Sequence, residues 1–248
     1  MKRSILLLTV LFTCMSVFGL DLWVPASAHA PGSKQTLWKS DFYILNLSAQ
    51  HCSLSMRYIA SGLDQSDANL ARPAVPVILP PEGQVHLLDV LATYFSVSSG
   101  SGGILLSGDC DFRFSSRTFT PAPEGAPGTY GQYIPAYMTG DIVSPTYLIG
   151  AVSSGEFRTN LGLMNTSQSE SSTCVLTFRD KSGLSLASVP VELGPFVHVQ
   201  YNDLFTQFNL SPQDNMTIDM ACSPVSVLGY LSTVDNSTGD PVFLGGVR

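Results

Sequence analysis

"CSLSMR", Cys52 to Arg57, is echoed by "CVLTFR", Cys174 to Arg179. Each opens on a cysteine and then alternates. Leu54 and Met56 in the first, Leu176 and Phe178 in the second, fall two residues apart, the spacing of one face of a β-strand. The echo extends outward in the same order. "WKSDFYILNLS" (38–48) stands before the first copy and "FRTNLGLMNTS" (157–167) before the second. "VPVILPPEGQVHLLDVLATYF" (75–95) and "VPVELGPFVHVQYNDLFTQF" (189–208) come after. Cys110 with "DFRFSSRTF" and Cys222 with "SPVSVLGYL" close the two units. One unit is roughly 110 to 120 residues, well beyond the ~20–50 of a solenoid repeat, so a whole domain is duplicated.

Inside each unit the alternation comes in short runs broken by Gly, Pro, Ser and Asn. About seven strands fit each unit. In the second they are expected near 146–152, 157–164, 173–179, 184–193, 196–201, 215–221 and 225–233, with a terminal piece near 242–246. The expected fold is all-β: two tandem immunoglobulin-like β-sandwich domains, each with one short helix and one disulfide. Asp89 stands where it can cap "VLATYF", and Asn202 or Asp203 where they can cap "LFTQF", by accepting first-turn N–H groups. Residues 20–140 are expected to form the first sandwich and 141–248 the second. "GTYGQYIPAYMTGDIVSP" (128–145) supplies all or part of the linker.

Residues 1–19 have the layout of a secretory signal peptide. Lys2 and Arg3 precede an apolar run from Ile5 to Phe18, and Val17-Phe18-Gly19 offers a cleavage site. An uncleaved anchor and, through Cys14, a lipoprotein signal are the competing readings. No later stretch is long and apolar enough to span a bilayer. The expected location is therefore secreted, periplasmic or at the cell surface. In such a compartment Cys52, Cys110, Cys174 and Cys222 are expected to pair. Of the three connectivities, only Cys52–Cys110 with Cys174–Cys222 respects the repeat. Each bridge closes a loop of about 50 to 60 residues, worth on the order of 4 kcal/mol in the chain-entropy model.

The bulk charge narrows the partners. Lys and Arg number 12 against 19 Asp and Glu, a net charge of −7. No basic run is present to neutralise phosphates, which excludes nucleic acid and anionic membrane surfaces as partners. Charged residues make up only 12% of the chain, about half the usual share, and Ser, Thr, Gly and Asn fill the surface instead.

Specific catalytic patterns are missing from the sequence. It holds no G-x-S-x-G elbow, no H-E-x-x-H and no C-x-x-C. His86 and His198 are taken as matching positions on a strand face, and His29 and His51 as loop residues. "SSGSGG" (98–103) reads as a flexible turn. Asp64/Asp67 and Asp109/Asp111 lack calcium-loop spacing and read as solvated loop acids. Asn46 and Asn165 match at strand ends, which suggests a turn role. No catalytic residue, metal or cofactor is expected.

What remains is an aromatic and cationic group: Trp38, Arg113, Arg117, Tyr130, Tyr133 and Tyr137. It is a candidate binding face, since rings give contact area at low entropic cost. Packing against the linker is the alternative. The loop "SGLDQSDANLARPA" (61–74), cut to "DKSGLSLAS" (180–188) in the second unit, is a further place for a function private to the first. The expected role is non-catalytic binding, adhesion or surface assembly, with a protein or glycan as ligand. The alternatives are a carbohydrate-binding accessory, assisted by calcium, and a structural envelope or fibre component.

"VPASAHAPGSKQTLWKSDFYILN" (24–46) and "FSSRTFTPAPEGAPGTYGQYIPA" (114–136) also carry a family likeness. They resemble a tandem β-sandwich repeat of uncharacterised secreted bacterial proteins. The likeness covers the first unit well and the second in outline. It implies an exported sandwich protein and carries over no functional residue. The second unit lacks the "SSRTF…GTYGQYIPA" wording, so any role of those residues belongs to the first.

Overall fold

The computed structural model describes residues 19–32, 36–122 and 127–248. The signal-peptide segment thus lies outside the described residues, save Gly19. Strands hold 57% of the chain and helices 10%, which makes it all-β. The first repeat contains β1 (Leu20–Pro31), β2 (Leu37–Asn46), β3 (Cys52–Ala60), β4 (Val75–Leu79), β5 (Gln84–Leu87), β6 (Gly100–Gly108), β7 (Phe112–Pro121), β8 (Thr129–Gln132) and β9 (Tyr137–Met138). Helices α1 (Ser66–Ala71) and α2 (Val90–Phe95) lie between them. The second repeat contains β10 (Thr146–Ala151), β11 (Phe157–Asn165), β12 (Ser172–Asp180), β13 (Ser185–Leu193), β14 (His198–Tyr201), β15 (Met216–Ser223), β16 (Val227–Asp235) and β17 (Pro241–Gly245), with helix α3 (Leu204–Gln207).

The two repeats share one topology. In the second, the layers are β10-β15-β12-β13 and β14-β11-β16-β17. The first repeats these orders as β1-β6-β3-β4 and β5-β2-β7-β8. Its layers merge into one nine-stranded sheet because the end of β1, past a bulge between Val24 and Ser27, also pairs with β2. Each repeat has its own core between its layers. Phe42, Ile44, Met56, Leu79, Ile104 and Leu106 are buried in the first; Leu148, Leu161, Leu176, Phe178, Ile218 and Leu231 in the second. Alternation accounts for both. On β12, Cys174, Leu176 and Phe178 point inward, while Thr173 and Val175 stay exposed.

Both disulfides form within a repeat, Cys52–Cys110 and Cys174–Cys222, at sequence separations of 58 and 48. Cys174 and Cys222 are direct cross-strand partners on β12 and β15. The bridge therefore staples neighbours within one sheet, unlike the inter-sheet bridge of antibody domains. The duplicated asparagines clasp loops. Asn46 Nδ2 donates to the carbonyls of Gln50 and Pro80, at 2.8 and 2.9 Å, and Asn165 Nδ2 to those of Glu170, Leu193 and Gly194.

Several sequence expectations change. The linker stretch contains β8 and β9, paired to β7 and β1, because their backbone groups complete open sheet edges. The loop 61–74 contains α1, so the first repeat has two helices. Asp89 and Asp203 precede α2 and α3, but neither side chain caps its helix. Both residues are left-handed, with φ of 46° and 49°, and their own N–H groups donate to Asp41 and Asn160. The glycines of "SSGSGG" largely enter β6 rather than a turn. A Cβ on Gly103 would fall 2.2 Å from the Met164 sulfur of the other repeat, so only glycine permits that approach.

Met164 belongs to a third buried cluster that joins the sandwiches: Trp23, Ile59, Leu105, Ile142, Met164, Phe196 and Leu228. Trp23, Ile59 and Leu105 are the outward residues of β1, β3 and β6; Met164 and Leu228 are the outward residues of β11 and β16. Arg57 stacks over the Phe196 ring at 5.8 Å. Helix α1 clamps the junction. Buried Asn69 donates to the carbonyls of Ala60 and Phe196 and accepts from Ala60 N–H, and Ser66 donates to the Pro195 carbonyl.

Candidate functional site: the cleft between the repeats

The outward face of β14-β11-β16-β17 changes character along its length. At one end Met164 and Leu228 pack against the first repeat, and Tyr230 beside them is buried. Two to four residues further along each strand the face turns polar, with Gly162 opposite Gln200 and Asn160 opposite Ser232. There the sandwiches part and leave a cleft of about 460 Å³. The second repeat lines it with Arg158, Asn160, Gln200, Asn202 and Ser232. The first contributes Ser27, Ser101, Trp38, Thr118, Gln132 and the backbone near Pro31. Gly32 lets the indole lie close, since a Cβ there would sit 2.5 Å from Trp38 Nε1.

The lining has aromatic surface, amides, hydroxyls and one guanidinium. Among the described residues it has no carboxylate and no imidazole. Most of the amides are already oriented. Asn160 Oδ1 accepts the Asp203 N–H at 3.0 Å, Gln200 Oε1 accepts the Tyr230 hydroxyl at 3.0 Å, and Gln200 Nε2 donates to Asn202 Oδ1 at 2.8 Å. Gln132 is different: its side-chain carbonyl oxygen is enclosed and has no hydrogen-bond partner among the described residues. An acceptor held so is costly unless something donates to it.

The structure disperses the six residues expected to form a binding face. Trp38 reaches the cleft. Tyr130 lies opposite Thr120 on the same side of the sheet as Thr118 and Gln132. Arg113 and Arg117 occupy alternate positions of β7 and point to the opposite side, where Arg113 pairs with Asp111 and Arg117 covers Phe119 at 4.8 Å and bonds Thr129. Tyr133 is exposed beyond β8. Tyr137 sits on β9 opposite Trp23, where burial, with Tyr133 and Asp141 nearby, pushes its phenol up to about 12. A period of two cannot bring odd and even positions of one strand to one face.

The histidines also part company. Strand register places His86 opposite Tyr43 and His198 opposite Met164, so the two are not equivalent positions. The counterpart of His198 is Gln84, and that of His86 is Gln200. His198 is buried at the junction and donates from Nε2 to the Pro25 carbonyl at 3.0 Å. Burial pulls its imidazole down to about 4, opposed by that hydrogen bond. His29 lies on β1 rather than in a loop, and its Nδ1 meets Asp89 at 2.9 Å, with Lys39 at 3.9 Å from the same carboxylate. Asp41 accepts the Asp89 N–H and meets His86 Nε2 at 3.3 Å. This network on the first repeat satisfies itself.

Two other places hold polar or ligating groups that are already engaged. A depression of about 470 Å³ runs along Tyr137, Asp141 and Arg248, but Asp141 already accepts the Met138 N–H and Arg248 donates to the Gly140 carbonyl. Among the described residues one group of three metal-ligand types converges, Cys52, Asp109 and Cys110, and its two sulfurs are joined to each other. Asp64, Asp67, Asp109 and Asp111 all lie outside the cleft lining. Sequence reasoning missed the cleft's second wall. The one available signal was the uninterrupted apolar run, "GILL" in β6 and "VLGYL" in β16, which marks strands covered on both faces. No protein-family model and no curated protein matches the chain.

Proposed function

We propose that this chain is an exported, non-catalytic binding protein that holds a saccharide in the cleft between its two sandwiches. The observation that carries this is the lining. One indole, several neutral amides and hydroxyls, and an enclosed unpartnered acceptor on Gln132 converge from both repeats. Sugars offer such a surface what it lacks, hydroxyl donors for Gln132 and an apolar ring face for Trp38. The described lining, without carboxylate or imidazole, offers no acid–base pair for glycosidic cleavage, which supports binding over turnover. The two intra-repeat disulfides support an oxidising compartment. Adhesion to a glycan-bearing surface is the same activity in another setting.

Assembly by strand addition has less support. Outer strands β4 and β13 carry Pro76 and Pro190, which remove ladder donors from those edges. The test is calorimetric titration of the mature chain with cellotetraose, chitotetraose, galactotetraose and tetragalacturonate. Binding by at least one, weakened about tenfold or more by Trp38→Ala, is the expected result. Silence across the panel, or binding indifferent to Trp38→Ala, would overturn the assignment.

A further inference from the structure

Among the described residues the cleft lining holds one charged side chain. Arg158 sits on β11 opposite Val234, on the face that lines the cleft. Its Nη1 donates to Asn236 Oδ1 at 2.7 Å, and Asn236 is itself held by the carbonyls of Gly155 and Ser154. That partner is neutral, so it fixes the guanidinium without cancelling its charge. Four other cations have carboxylate partners, Lys39 with Asp89, Arg113 with Asp111, Arg179 with Asp219 and Lys181 with Asp214, whereas Arg57, Arg72, Arg117 and Arg248, like Arg158, bond neutral groups, and of these Arg158 alone lines the described cleft. Asp235 is next to Val234 in sequence, but it is the register partner of Phe157 and lies on the other side of the sheet. Its Oδ1 accepts the N–H groups of Ser237 and Thr238. Asp240 accepts the Gly131 N–H across the junction.

In a chain of net charge −7, the described lining of the cleft carries one oriented guanidinium and no carboxylate, so the charged side chain a ligand touches there is positive. Screening over about 8 Å at physiological salt leaves the local charge in control. A planar guanidinium with free N–H groups matches a carboxylate in geometry as well as charge. We propose that the cleft prefers saccharides that carry a carboxylate, of the uronic-acid type, over their neutral counterparts. Arg158 takes the carboxylate, and Trp38 and the amides take the ring. This rests on the cleft being the saccharide site.

The experiment compares tetragalacturonate with galactotetraose on the wild-type chain, Arg158→Gln, Arg158→Lys and Trp38→Ala, at 0.15 M salt, with melting temperature as the folding control. The wild type is expected to bind the acidic sugar about tenfold tighter. Arg158→Gln weakens the acidic sugar more than the neutral one and so removes that preference. Arg158→Lys, which keeps the charge and loses the fork, retains part of it and serves if the glutamine variant fails to fold. Equal affinity for both sugars, with both weakened by Trp38→Ala, overturns the carboxylate preference and leaves the cleft assignment standing. Binding of neither sugar, or no dependence on Trp38, overturns the cleft assignment and this inference with it.

Discussion

The two repeats place different chemistry at the same positions. In the ungapped pair "VPVILPPEGQVHLLD" and "VPVELGPFVHVQYND", Glu82 matches Phe196, His86 matches Gln200 and Leu88 matches Asn202. Register adds Lys39 with Arg158 and Asp41 with Asn160. In the first repeat this sheet face is turned away from the junction. Its ionisable groups pair among themselves: His29 with Asp89, His86 with Asp41, Lys39 beside Asp89. In the second repeat the same face meets the other sandwich. One end has become apolar and docks, and the other carries amides whose remaining valences face the cleft. The backbone role survives the exchange, since Asp41 and Asn160 accept the N–H of Asp89 and Asp203 alike. A duplicated fold keeps what the backbone requires and is free in what the surface meets.

The largest break in this comparison comes at Phe196, fully buried and left-handed at φ 52°, where the first repeat has exposed Glu82 at φ 51°. Phe196→Ala is expected to cost about 3–5 kcal/mol through the cavity left between the sandwiches. Calorimetry should then show two transitions, and a single one at the wild-type temperature would place the cohesion elsewhere. Next is the clamp that only the first repeat owns. Asn69→Ala leaves the Ala60 N–H and two carbonyls unpaired in a buried site, for a loss of about 3 kcal/mol in urea unfolding.

His198 sharpens the comparison through pH. Its imidazole lies near 4 in the folded chain against an ordinary 6.5, so the unfolded chain binds the proton more readily. The stability it contributes is full above about pH 6.5 and falls as the pH drops toward 4. At pH 5 the loss is about 2 kcal/mol relative to neutral pH. His198→Gln, which imports Gln84 of the first repeat, should flatten that part of the profile; an unchanged slope would assign it to other groups. The smallest effect is expected from Asp41→Asn, which imports Asn160. The acceptor for the Asp89 N–H is kept and only the contact with half-exposed His86 is lost, for under about 1 kcal/mol.

Much of this was legible beforehand. Cys174, Leu176 and Phe178 announced a strand with one buried face, and the second repeat's strands lie within a few residues of their expected places. The four cysteines announced their pairing through the duplication alone. These features are local or periodic, and spacing along the chain records them. The helix caps were not legible, because a left-handed backbone at Asp89 and Asp203 turns the carboxylates to other partners. Nor was the equivalence of the histidines, since a two-residue offset in alignment preserves the face and changes the neighbour.

By itself the sequence determined the class of fold, its duplication and its covalent staples, because hydrophobic period and cysteine count act on each repeat separately. The tertiary structure alone decided which outer faces meet. Trp23, Gly103, Met164 and Phe196 are far apart in the chain and become one surface only when two sandwiches dock. Trp38, Gln132 and Arg158 share a cleft for the same reason: side chains from two separately folded layers converge where docking stops, and no spacing along one strand encodes that.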